Sequence, residues 1–218
     1  LVVYSETPIS LLLGWVFALA FVFYSVYSAN WRSFRRFAGV QHFFAGAVLV
    51  ITGLWCMHAG IKRGLDFHIL GLTSLTLLMG WRFALLAGAF VVSSMVGFGK
   101  ISFQEWGLSY ALVVVIPVLF TYLIFLHVYR RLPCNPFVYI LVAGFLTAGV
   151  TQALHAVTVS GFYWLDDTYT GKELWLNYLR FLPLMMFPEG VINGMFLAGM
   201  VSFHPQWLST FDQDSYFN

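Results

Sequence analysis

Four stretches of this chain, about 9–29, 108–128, 137–159 and 181–203, are each apolar for the roughly 20 residues that a helix needs to cross a bilayer. A fifth, about 40–60, qualifies despite Gln41, His42 and His58. A soluble domain carries roughly 25% charged residues to keep its surface wet. Here only 9% of the 218 residues are charged and 60% are hydrophobic. Lipid is therefore the solvent, and the expected fold class is an all-α integral membrane protein. The first run has no basic segment before it and is about span length, so it reads as a retained helix and not a signal peptide. A net charge of +2 without a basic tract argues against nucleic acid as a partner. Cys56 and Cys134 are the two cysteines, too few for a disulfide framework and without a CxxC motif. No linker divides the chain, so residues 1–218 read as a single transmembrane domain.

The stretch 67–98 decides the helix count. As one helix it would be about 48 Å long, too long for a core of about 30 Å. As two helices it gives spans of about 16 residues, with the break at "GWR", Gly80 to Arg82. Charge separates the two readings, because short cytoplasmic loops are enriched in Lys and Arg. Arg32, Arg35 and Arg36 lie after the first span, and Arg130 and Arg131 lie after the run ending near Val128. If both clusters are cytoplasmic, an even number of spans separates them, and 67–98 crosses twice. A bundle of about seven transmembrane helices follows, with the N-terminus outside and the C-terminus cytoplasmic. Arg82 then also lies inside, while Glu6, Asp66, Glu105, Asp166, Asp167 and Glu173 lie in outer loops. The longest outer loop, "SGFYWLDDTYTGKELWLNYLR", carries the Trp and Tyr residues of an interfacial belt.

Ionisable groups within spans are costly and tend to face a bundle interior or a cavity. The candidates are Glu189, His42, His58, His68 and His155, with Asn193, Gln41 and Gln152 as polar neighbours. Glu189 and Asn193, in "FPEGVINGMF", are four residues apart and share a helix face. Gly190 and Gly194 form a small-xxx-small pair beside them, which permits close helix approach. Two readings of Glu189 stay open: a substrate or ion pathway, or a buried carboxylate bonded to a neighbouring helix. His68 opens a span beside Asp66, near the outer surface. Imidazole is the commonest protein ligand for transition metals, and a carboxylate beside it fixes its tautomer. A metal needs several donors, and His58, Cys56 and His42 are the expected partners of His68. His58 and Cys56 rank above His42, which begins its span on the opposite side. Each His taken singly also fits a hydrogen-bonded packing role.

"DFHILGLTSLTLLMGWRFALLAGAFV" resembles the segment of CbiM/NikM-type proteins in which a His at the head of a span precedes a short, Gly-punctuated helix pair. "FPEGVINGMF" resembles that family's E-G-x-x-T-G element, with Asn193 where Thr is usual. "RRLPCNPFVYI", "PLMMFPEGVINGM" and "HPQWLSTFDQDSY" look like a proteobacterial branch of energy-coupling-factor (ECF) permease-like proteins. The resemblance covers most of residues 40 to 215. It implies a non-enzymatic substrate-binding membrane component of a cobalt or nickel importer in the bacterial inner membrane. Copper and zinc stay open as the ion. The chain has no GxxxxGK[ST] loop for ATP, so an ECF-type coupling subunit and ATPases would supply the energy. The importers begin with a Met-His motif that enters the bundle to bind metal, whereas this chain begins "LVVYSETPIS". Of the ligands the resemblance carries over, only His68 remains. An alternative is a non-transport subunit or assembly scaffold of a larger membrane complex. A haem protein using paired His is a third reading.

Overall fold

The computed structural model describes residues 8–36, 39–57, 59–62 and 64–217. Helix α1 (Pro8–Ser28) leads through the short α2 (Trp31–Arg36) into α3 (Val40–Cys56). A small antiparallel hairpin, β1 (Ala59–Lys62) and β2 (Leu65–Phe67), pairs Ala59 with Phe67 and Gly60 with Asp66. It interrupts the run expected over about 40–60. After α4 (Leu72–Gly97) come α5 (Phe103–Arg131) and α6 (Pro136–Leu165), the short α7 (Gly171–Asn177), α8 (Leu182–Phe203) and α9 (Gln213–Phe217). Helices α5 and α6 loosen to π-type hydrogen bonding over Tyr110–Val115 and Tyr139–Leu146. The molecule is an all-α membrane protein. Five of its helical stretches are long and apolar enough to cross a bilayer, and α3 is a shorter apolar helix. On α1, large apolar side chains such as Leu12, Leu13, Phe23 and Tyr27 stay exposed, as expected of a lipid-facing helix.

The break expected at "GWR" is present at Gly80, but the two halves are unequal. Gly80 has φ 76° and ψ 158°. This region is essentially restricted to glycine, because a Cβ would clash there. Contacts on either side of it show that the chain turns back. Ser74 meets Asn193 and Leu78 meets Ser209, so residues 72–79 run in the same sense as α8. Beyond the turn, Gly88 packs on Val114 and Trp106 bonds Ser93, so 81–97 runs antiparallel to α5. The first half is thus about two turns long and begins inside the bundle, where two spans of similar length were expected. Sequence hydropathy is blind to that difference, since 67–71 is as apolar as the helix it precedes.

The C-terminal segment closes the inner end of this half-helix. The last carbonyls of a helix lack intrahelical partners. Leu78 accepts from the Ser209 N–H at 2.8 Å, and Leu77 accepts from the Thr210 hydroxyl at 2.6 Å. Arg82, just past the turn, donates to Ser28 Oγ at 3.0 Å and lies over the Trp81 ring. Gly190 and Gly194 press against Phe145 of α6, where a Cβ on Gly190 would stand 2.9 Å from the Phe145 carbonyl. The close approach expected of that glycine pair is therefore realised.

Candidate functional site

Residues 68–71 are non-helical and sit among buried side chains. Irregular backbone at membrane depth survives only where protein satisfies its polar groups. Here α8 does so. The Glu189 carboxylate accepts from the Leu70 N–H at 2.8 Å through Oε2 and from the Gly71 N–H at 2.9 Å through Oε1. Asn193 Oδ1 accepts from the Ser74 N–H at 2.9 Å. The Asn193 amide donates to Glu189 Oε1 and to the Glu189 carbonyl, both at 2.8 Å. Glu189 and Asn193 together are thus the N-terminal cap of α4, supplied by another helix. A carboxylate also complements the positive end of the helix dipole. Both residues are 1% exposed, and neither borders the small cavity that lies beside His68. Of the two readings left open by the sequence, the geometry is that of a buried carboxylate bonded to a neighbouring helix.

The other side of the segment is held by α3. Trp55 Nε1 donates to the Leu70 carbonyl at 3.1 Å, and its ring meets His68 edge-on at 5.3 Å. His68 is buried, with Nδ1 3.4 Å from the Asp66 backbone carbonyl. Asp66 thus faces the ring through its backbone carbonyl.

His68, Asp66, Gly64 and Tyr178 border a small cavity of about 10 Å³ together with Val113, His155 and Val159. That is about the room one water molecule or one ion needs. The His155 ring lies 5.7 Å from the His68 ring, centroid to centroid, at an interplanar angle of 78°. His155 is 3% exposed, and its Nδ1 has no hydrogen-bond partner among the described residues. Leaving such an atom unsatisfied costs about 1–3 kcal/mol. Lys62 of β1 pairs with Glu173 of α7 at 2.5 Å. The Thr170–Glu173 capping box that starts α7 also holds this carboxylate. Glu173 titrates at about 2, held below the usual carboxylate range first by the Lys62 hydrogen bond and then by Thr170.

Of the donors expected around His68, Cys56 and His42 are turned away from it. Cys56 ends α3 on the exposed surface. His42 is exposed in the first turn of the same helix. From His42 to Trp55, which touches His68, α3 rises about 20 Å. His58 lies outside the described residues. His155, a candidate in the sequence only as an ionisable group within a span, is the histidine that the packing of α6 against α4 and α5 brings to His68. No group of three or more His, Cys, Asp or Glu in metal-holding geometry occurs among the described residues.

A family model described as the cobalt uptake substrate-specific transmembrane region, CbiM, matches residues 7–207. The chain belongs to that family. Its membership makes it a permease component of metal import. Two solved structures share the fold of this chain. One is a truncated transition metal transporter, with a TM-score of 0.65 and 14% identity over 90% of this chain and 94% of that one. The other is a transition metal transporter, with a TM-score of 0.64 and 13% identity over 92% and 91% of the two chains. At that identity the likeness establishes the fold and nothing finer. No curated protein sequence matches.

Proposed function

We propose that this CbiM-family chain is the substrate-binding membrane component of an ECF-type importer for a cobalt- or nickel-like ion. The observation that carries the site is the cavity beside the His68 segment, lined by two imidazoles and reached from the hairpin end of the bundle. Glu189 and Asn193 act by holding residues 70–74, and with them His68, in place. The ion enters from the side of the β1–β2 hairpin, where Asp66 borders the cavity. In this reading the chain crosses the bacterial inner membrane seven times, with 72–79 as a half-length pass, the N-terminus outside and the C-terminus cytoplasmic. A coupling subunit and ATPases drive transport, since the chain has no phosphate-binding loop of its own.

The experiment is metal analysis and titration of protein purified without an affinity tag. One cobalt, nickel, copper or zinc ion bound per chain, lost in His68→Ala, supports the reading. A metal-free chain that binds none of these ions and copurifies with a large membrane complex would replace it with a scaffold role.

A further inference from the structure

We propose that His155 is a direct donor to the transported ion, so that the chain holds it between two imidazoles on different helices. This rests on the metal-importer reading above and names a ligand that the motif around His68 does not supply.

Three observations converge on His155. Its ring borders the same cavity as His68. Its Nδ1 is buried and lacks a hydrogen-bond partner among the described residues, although the ring is only 3% exposed. The spacing of the two rings fits a shared ion. A metal–nitrogen bond of about 2.0–2.1 Å plus about 1.1 Å from nitrogen to ring centre puts a ligated centroid about 3.2 Å from the ion. Two such rings have centroids about 5.2 Å apart at a tetrahedral angle and about 6.4 Å apart when linear. The observed 5.7 Å lies within that interval. The Asp66 carbonyl beside His68 Nδ1 favours the tautomer in which Nε2 carries the lone pair, the arrangement usual for metal-bound histidine.

The chemistry selects an ion class. Neutral imidazoles suit zinc, copper, nickel and related first-row ions, whereas magnesium and calcium require oxygen donors. Two protein donors leave coordination positions for water, so the ion is held loosely enough to be passed on. Asp66 and Tyr178 also border the cavity and carry groups able to bond such waters.

The test is titration of the full chain in lipid nanodiscs with Co²⁺, read by its visible ligand-field absorption, for the wild type, His155→Phe and His155→Asn. Phe keeps the ring volume and removes both nitrogens, and Asn keeps a polar group. We expect Co²⁺ affinity to fall at least tenfold in both variants. The ligand-field bands should also shift, while thermal unfolding of the metal-free Phe variant stays at or above the wild-type temperature. Unchanged affinity and spectrum in either folded variant would overturn the assignment of His155 and leave the importer reading intact. A wild type that binds no Co²⁺, Ni²⁺, Cu²⁺ or Zn²⁺ would overturn both. If neither variant folds, pulsed EPR of the Cu²⁺-loaded wild type decides. Coupling to two imidazoles supports the proposal, and coupling to one refutes it.

Discussion

Replacing Glu189 tests whether the carboxylate is a cap or a passive buried acid. Its two oxygens accept three hydrogen bonds, from Leu70 N–H, Gly71 N–H and the Asn193 amide, at 2.8 to 2.9 Å. Glutamine copies the shape but has one acceptor oxygen. Placed on the Oε1 side, that oxygen keeps Gly71 and Asn193, and its NH₂ then faces the Leu70 N–H. The Leu70 N–H and the new NH₂ then face each other with no acceptor between them, at a cost of at least about 1–3 kcal/mol. Glu189→Ala strands all three donors, so the cost is about 3 kcal/mol or more. For a chain of this length each kcal/mol moves the midpoint by about 2–4 °C. Thermal unfolding in detergent, followed by tryptophan fluorescence, should place Gln about 2–12 °C below wild type and Ala lower still. Hydrogen exchange of a peptide covering 68–72 should accelerate in the same order, because its amides lose their acceptors. A Gln variant with an unchanged midpoint and unchanged exchange would show that the carboxylate does not accept both backbone amides.

Gly80→Ala places a Cβ at φ 76°, ψ 158° with only Ser209 Oγ nearby at 3.5 Å, so backbone strain alone should cost about 1–3 kcal/mol. Thermal unfolding of that variant checks it, and an unchanged midpoint would mean that the turn is made differently. The Lys62–Glu173 pair ties the hairpin to α7, and the folded Glu173 titrates well below its ordinary value. A lowered pKa stabilises the fold above the ordinary carboxylate range and loses that contribution as pH falls toward about 2. The stability gap between wild type and Lys62→Ala should therefore be present at pH 6, shrink below about 4.5 and be small because both partners are about a third open to solvent. A gap that grows on acidification would reverse the assignment. A cysteine placed at Ser102 should react with an impermeant reagent in intact cells and one at Ser209 should not, which fixes the orientation.

Hydropathy and charge alone determined the membrane class, the positions of the long helices and the break at Gly80, because a run of apolar residues has a length that a bilayer measures. The motif around His68 and the Glu189–Asn193 spacing marked residues that the fold does use. What those residues do was decided only by tertiary structure. Glu189 reads from sequence as a charge in need of a substrate, and in the fold it meets the bare amides of a helix that begins inside the bundle. His68 marks the head of a span in the sequence, yet hydropathy does not show that the helix starts inside the bundle, because residues 69–71 are not polar. Cys56 and His42 sit in the sequence where donors were expected, yet α3 turns them outward, since its buried side is set by Ile51, Thr52 and Trp55. His155 is a lone histidine in an apolar span whose meeting with His68 spans 87 positions of chain. Such a contact depends on which faces of α4, α5 and α6 pack together, and helix periodicity fixes the faces without choosing their neighbours.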